Sequence, residues 1–224
     1  MATKSPFSRS LAFNNVGSRA APGFSEFSPE ACTRTGGSFT ATANGMRIKS
    51  AAGADEVDGI VPASGTLLDT SNHCLTSRRI ILEADVYYPN VYVDRFFVGF
   101  MDAVPDAAGT DDANKPGGWR NADVSHCVGF WVNGGEDSSK ICCVYQSTNF
   151  YCKYVTSVAF ARAGQYKLKV ALLPRRVALF WINGDIVHNS SGFQVAVATV
   201  KPMLFVVGDE SEVDLSLFNV SVTY

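Results

Sequence analysis

QYKLKVALLPRRVALFWINGDIVH, residues 165–188, is the stretch that decides the fold. In its first eight residues apolar side chains alternate with polar ones, which is the period-two pattern of a strand with one face toward water. The almost wholly apolar run at 177–182 predicts a strand that is covered on both faces. Asn183-Gly184 then supplies the positive backbone angles of a tight turn, so the stretch predicts a β-hairpin.

Similar short apolar runs, each bounded by turn residues, recur from Met46 onward and predict about eleven or twelve strands at a spacing typical of β-sandwiches. In the run 79–88 every second side chain is apolar, and Glu83 and Asp85 fall on the opposite, solvated face. The last strand changes face near Leu217-Phe218, which predicts a β-bulge. Since no run of ten residues carries a helical stripe, the sequence predicts an all-β fold.

Residues 1–44 differ from the rest, because they are rich in small and polar residues and carry only isolated aromatic side chains. Such a segment cannot build its own core, so it is either disordered or an extended arm that lays its aromatics on another surface. We therefore divide the chain into an extended N-terminal arm, 1–44, and a sandwich domain, 45–224. The arm residues predicted to contact partners are Phe7, Phe13, Phe24 and Phe27.

Composition excludes several classes of partner. Hydrophobic residues make up 46% of the chain and charged residues 18%, with a net charge of −2, so there is no basic surface for nucleic acid. No run approaches the roughly 20 apolar residues that span a bilayer, and the first residues lack the apolar core of a signal peptide. We expect a protein made in a cytoplasm, with its six cysteines reduced.

Four stretches together resemble the concanavalin A-like jelly-roll sandwich of laminin G domains and legume lectins. They are RRIILEADVYYPNVYVDRFFVGFMDA (78–103), HCVGFWV (126–132), YKLKVALLPRRVALFWINGDIV (166–187) and VDLSLFNVSVTY (213–224). The likeness is closer to a group of sandwich domains from tailed bacteriophages, in which two VGF strands precede a hairpin of this type. That resemblance implies a virion component, such as a capsid decoration or cement protein, a head fibre or an adsorption protein.

The resulting prediction is a non-enzymatic virion protein that binds major capsid or other virion proteins through its sandwich and arm, as a homo-oligomer, with a trimer favoured. The alternative is a glycan-binding, lectin-like module. Its predicted site is Trp119, the one tryptophan expected to be exposed, with Asp111, Asp112 and Asn114 of the same loop. Trp131 and Trp181 lie in apolar runs and are predicted to belong to the core.

Two further kinds of chemistry have some basis in the residues. Glu210, Glu212 and Asp214 alternate, so on a strand they share one face, as the carboxylates of a glycosidase do, although an exposed hairpin tip gives the same pattern. The loop 102–120 is rich in the hard oxygen ligands that calcium requires, but it has no defined calcium-loop spacing. The sequence therefore predicts no catalytic residues, no metal site and no cofactor, with calcium left open as an alternative.

Overall fold

A computed structural model describes most of the chain. The described residues are 9–14, 32–34, 37–51, 57–62, 79–89, 95–103, 124, 126–133, 140–147, 150–173, 177–190, 200–208 and 211–223. Over these ranges the regular structure consists of fifteen strands, without a helix. It follows that no described segment forms a helix long and apolar enough to cross a membrane.

The strands are numbered in chain order. The first eight are β1 (Arg9–Asn14), β2 (Cys32–Arg34), β3 (Ser38–Thr42), β4 (Gly45–Lys49), β5 (Val57–Pro62), β6 (Arg79–Tyr87), β7 (Arg95–Met101) and β8 (Cys127–Asn133). The last seven are β9 (Lys140–Ser147), β10 (Phe150–Ala159), β11 (Gln165–Leu172), β12 (Ala178–Ile182), β13 (Asp185–Asn189), β14 (Lys201–Val207) and β15 (Glu212–Thr223).

The strands form two antiparallel sheets. The eight-stranded sheet has the order β13-β12-β11-β6-β15-β4-β3, and β1 also pairs with β15. The seven-stranded sheet has the order β10-β9-β8-β7-β14-β5-β2. The predicted fold class, a two-layer antiparallel jelly-roll sandwich, is confirmed.

The core between the sheets is built by alternation along the strands. In β6 every second residue is predicted to face inward, and Ile80, Leu82, Ala84 and Val86 are fully buried. Glu83 and Asp85 lie on the outer face and are partly exposed. The predicted hairpin is also confirmed, because Asn183 and Gly184 have φ angles of 53° and 96° between β12 and β13. These angles are those of the tight turn that the Asn-Gly pair favours.

The last strand, β15, joins the two ends of the described chain. It pairs with β6 on one side, and on the other side with β4 along its first half and with β1 along its second half. Its register with β6 shifts between Leu215 and Leu217, so the predicted change of face is confirmed close to its predicted position. The bulge turns Leu217 outward and leaves Phe218 in the core.

The first 44 residues contribute strands to both sheets. β1 pairs with β15 from Arg9 opposite Val222 to Asn14 opposite Leu217, β2 pairs with β5, and β3 forms a hairpin with β4. The predicted boundary at residue 44 therefore falls inside the β3–β4 turn. The described parts of the predicted arm are extended, but they are strands of the sandwich, because backbone pairing at a sheet edge requires no periodic apolar stripe.

One prediction about burial is wrong. The run 177–182 is not covered on both faces, since Leu179 and Trp181 are partly exposed on the outer face of β12. Four strands of the seven-stranded sheet, β7, β8, β9 and β14, are buried on both faces. Their outer apolar side chains form a second cluster, whose members are each at most 2% exposed and include Phe97, Met101, Cys127, Trp131, Cys142, Val144, Met203, Phe205 and Val207.

Candidate functional site

A cleft lies on the outer, solvated face of the eight-stranded sheet. Its volume is about 390 Å³, within the range of small-molecule sites. The side chains and backbone that line it are Glu83, Asp85, Lys167, Leu168, Lys169, Trp181, Gly184 and Leu217. We call it the Trp181 cleft, after the one aromatic residue in this lining.

The sheet register explains why these residues meet. Lys169 on β11 lies opposite Glu83 on β6 and opposite Trp181 on β12, which places the three side chains in one row across the sheet. Lys167 lies opposite Asp85 in the next row on the same face. Glu83 and Asp85 are two residues apart, as are Lys167 and Lys169, so each pair points to the same side of the sheet.

The row through Glu83 is held by direct contacts. The Lys169 ammonium lies 3.0 Å from Glu83 Oε1 and 5.4 Å from the centroid of the Trp181 ring. On the other side, Asn219 Nδ2 donates a hydrogen bond to Glu83 Oε2 at 3.3 Å. Both oxygens of Glu83 are therefore occupied, and Lys169 is fixed between a carboxylate and an aromatic ring.

Asp85 differs from Glu83 in having an uncommitted carboxylate. No residue in the described ranges donates a hydrogen bond to its side-chain oxygens, although Ser216 Oγ donates one to its backbone oxygen at 3.3 Å. Partial burial raises the pKa of Asp85, the Lys167 charge opposes that rise and the Glu83 charge adds to it. A half-buried carboxylate with free acceptor positions is suited to receive hydrogen bonds from a ligand.

The hairpin end that closes the cleft is tied to β11. Asn183 Oδ1 accepts a hydrogen bond from the Lys167 backbone N–H at 2.9 Å, and the Asn183 N–H donates one to the Lys167 carbonyl at 2.9 Å. These two bonds hold Gly184 at the cleft wall. The cleft is thus formed from paired strands and an anchored turn, which keeps its shape without a ligand.

The predicted glycan site lies outside the described residues, since Trp119, Asp111, Asp112 and Asn114 belong to the range 104–123. Two described residues close in sequence to the two ends of this range, Asp102 and His126, contact each other. The Asp102 N–H donates to the His126 carbonyl at 3.1 Å, and His126 Nδ1 lies 3.1 Å from Asp102 Oδ2. The loop site, like calcium binding by this loop, stays a prediction.

The structure gives little test of the predicted arm contacts or of the predicted absence of a metal site. Phe7, Phe24 and Phe27 lie outside the described residues, and Phe13 is described only by its backbone pairing with Phe218. Among the side chains that the structure places, no three His, Cys, Asp or Glu residues come together as a metal site.

The two strand tryptophans have different surroundings. Trp131 is fully buried, as predicted, although on the outer face of its sheet. The prediction that Trp181 belongs to the core is wrong, because its ring is partly exposed and lines the cleft. The signal that could have shown this was the polar face of β11, since Lys169 is the cross-strand neighbour of Trp181.

Two of the three carboxylates considered for glycoside hydrolysis form ion pairs with an arginine. Glu212 and Asp214 share one face of β15 as predicted, but Arg47 Nε lies 2.7 Å from Asp214 Oδ1 and Arg47 Nη1 lies 3.1 Å from Glu212 Oε1. Thr42 Oγ1 also donates to Asp214 Oδ2 at 3.0 Å, and both carboxylates are buried. This arrangement raises the pKa of Arg47 and gives the pair a structural role. Glu210 lies outside the described residues.

Solved structures with this architecture include several proteins whose names refer to carbohydrates. Peanut lectin, solved with a nine-residue peptide, has a TM-score of 0.63 at 14% identity, covering 96% of this chain and 97% of the lectin. The β-glucanase of Bacillus licheniformis has a TM-score of 0.58 at 10% identity, covering 95% and 97%. Carbohydrate-binding module CBM66 of Bacillus subtilis has a TM-score of 0.50 at 10% identity, covering 84% and 94%.

No protein-family model matches the chain, and no curated protein sequence is significantly similar to it. At identities this low, the structural likeness shows the fold alone. The resemblance to the concanavalin A-like sandwich is therefore confirmed. Neither the lectin, the glucanase nor the binding module is described as a bacteriophage protein, so the closer likeness to the phage group gains no support from them.

Proposed function

We propose that this protein is a non-enzymatic glycan-binding module and that the Trp181 cleft is its binding site. The observation that carries the proposal is a partly exposed tryptophan ring set in a row of charged and amide side chains that the sheet already holds in place. The lectin and the carbohydrate-binding module among the structural neighbours support the same class of ligand.

The chemistry of a sugar matches this lining. One face of a pyranose ring presents C–H groups, which pack on an aromatic ring, and its edge presents hydroxyl groups that need donors and acceptors. Trp181 supplies the apolar surface, and Asp85 supplies acceptor oxygens in the neighbouring row. A concave site with one aromatic surface and a few fixed polar groups is the usual form of a small-ligand site.

Binding is favoured over hydrolysis by the state of the two carboxylates. A glycosidase of the usual type needs two carboxyl groups that can both act on the substrate, one as acid and one as nucleophile or base. In the cleft, Glu83 is engaged by Lys169 and Asn219, so Asp85 is the single carboxylate of this lining with open acceptor positions. One uncommitted carboxylate serves recognition but not this mechanism.

The proposal is tested by glycan-array binding of the full chain, followed by titration calorimetry with the best oligosaccharide. Trp181→Ala is expected to weaken binding at least tenfold, because it removes the stacking surface, for which about 2 kcal/mol is typical of an aromatic hot spot. Trp119→Ala, in the predicted loop site, is the matched control and is expected to leave affinity within about twofold.

The two variants separate the two glycan sites. If Trp119→Ala abolishes binding while Trp181→Ala leaves it intact, the ligand binds at the loop and the assignment of the cleft is wrong. If the parent protein binds no glycan on the array, or cleaves the oligosaccharide that it binds, the proposed function is wrong.

The virion role, the trimeric assembly and the partner contacts of the phenylalanines at positions 7, 13, 24 and 27 stay predictions. They are tested separately, by deleting residues 1–40 and measuring incorporation into particles. Because β1, β2 and part of β3 lie in that range, the deletion also removes two strands of the sandwich and shortens a third. A circular dichroism spectrum and a melting curve of the truncated chain are therefore needed beside the incorporation assay.

A further inference from the structure

The charges of the Trp181 cleft balance within its own lining. Two ammonium groups, those of Lys167 and Lys169, face two carboxylates, those of Glu83 and Asp85. The register places each lysine opposite one carboxylate on the neighbouring strand, and one of these pairs is in direct contact at 3.0 Å. No charge of either sign in this lining is left over for an ionic ligand.

The second row makes an anionic ligand unfavourable. Lys167 is exposed and is the lining cation that a carboxylate or sulfate could approach, but Asp85 lies directly opposite it at the spacing of paired strands. An anion that reached Lys167 would therefore lie beside the Asp85 carboxylate, which already faces that ammonium group. Lys169 offers no substitute, because Glu83 and the Trp181 ring already surround its ammonium group.

The same carboxylate suits a neutral ligand. Its two oxygens accept hydrogen bonds but donate none, so the groups that match it are a pair of neighbouring hydroxyls. From the proposed function and this charge arrangement we infer that the cleft selects uncharged glycans with adjacent free hydroxyls, and that Asp85 is its specificity-determining residue. Glycans that carry carboxylate or sulfate groups at the same position are rejected by like-charge repulsion.

The test uses the full chain and a printed array on which each neutral oligosaccharide has a carboxylated or sulfated counterpart. Examples are galactan beside polygalacturonan fragments, lactose beside sialyllactose, and desulfated beside sulfated carrageenan fragments. We expect the neutral member of a bound pair to bind at least tenfold more tightly than its acidic counterpart. Asp85→Asn removes the repelling charge and is expected to reduce that ratio at least threefold.

Asp185→Asn is the matched control, since it removes one carboxylate charge from an exposed position outside the cleft lining and is expected to leave the ratio unchanged. Acidic members that bind as tightly as the neutral ones, with binding still lost in Trp181→Ala, would overturn the charge inference and leave the proposed function standing. An unchanged ratio in Asp85→Asn would overturn the role of Asp85. If no member of any pair binds, the proposed function itself fails and the inference fails with it.

Discussion

The outer faces of the two sheets are opposites. On the eight-stranded sheet the outer side chains of β6, β11 and β12 include charged and amphipathic ones that are exposed or partly exposed, and these form most of the Trp181 cleft. On the seven-stranded sheet most outer side chains of β7, β8, β9 and β14 are apolar and buried within this one chain. Because a ligand can contact only the first kind of face, the proposed glycan site belongs to the eight-stranded sheet, while the buried outer face of the seven-stranded sheet contributes to stability.

The two VGF sequences place their valines and phenylalanines in the core between the sheets and their glycines on the buried outer face. Gly99 and Gly129 lie opposite each other in the β7–β8 pairing, and a Cβ at Gly99 would lie 2.9 Å from the tip of the Phe97 ring. The Phe97 ring, stacked 5.1 Å from that of Phe205, therefore lies over a space that two glycines leave open. The motif that carried the resemblance is thus explained by packing, and it says little about function.

The largest expected effect is on the free energy of unfolding, which should depend much more on a ring of the buried face than on a ring of the solvated face. Phe97→Ala should lower the free energy of unfolding by about 3–5 kcal/mol, because it opens a cavity under a fully buried ring. Trp181→Ala should lower it by about 1 kcal/mol or less, since its ring is partly exposed. Urea denaturation of both variants measures the difference. Equal losses would show that the two outer faces contribute equally to stability, which would contradict the comparison.

A smaller effect is expected at the glycine pair. Gly99→Ala would place its Cβ 2.4 Å from the Val128 carbonyl oxygen and 2.4 Å from Gly129 Cα, so the backbone of β7 or β8 must shift. We expect a loss of about 2 kcal/mol, typical of overpacking in a core. Ser157→Ala, at an exposed position of β10, is the control and should change stability by less than about 0.5 kcal/mol. A loss that small in Gly99→Ala would contradict the packing explanation of the motif.

How far the sequence could predict these faces depends on whether the information is local. Alternation in β6 and β11 was enough to place Glu83, Asp85, Lys167 and Lys169 on a solvated face, because a strand's period is visible in the strand itself. The cleft was not predictable in this way. It requires Trp181 to lie opposite Lys169, and Glu83 to come from a strand more than 80 residues earlier in the chain.

The strands of the first 44 residues were missed for a related reason. β1 pairs with β15 at the far end of the chain, so no local pattern shows its partner. β2 and β3 pair with the nearer strands β5 and β4, but their own composition carries no apolar period. Trp181 was assigned to the core because an apolar run does not distinguish a ring covered by protein from a ring that flanks a lysine.

The smallest expected effect is at the edge where the two sheets meet. His188 on β13 stacks on Tyr154 of β10, with ring centroids 4.3 Å apart, and its ring also lies 5.8 Å from those of Tyr145 and Phe180. Burial lowers the pKa of His188 below its ordinary value near 6.5. As the pH falls through 6.5, the unfolded chain therefore gains a proton at this residue before the folded chain does, and folding stability decreases.

This decrease should end once the pH is below the folded-state pKa, where both states carry the proton. His188→Phe keeps an aromatic ring at the seam and has nothing to protonate, so the stability of the parent relative to this variant should decline from pH 7.5 to pH 5.5. Urea denaturation at several pH values measures that difference, and the other two histidines cancel because both proteins contain them. If the stability difference between parent and variant does not depend on pH, the His188 ring is solvated in the folded protein. The edge where the two sheets meet would then be open to water.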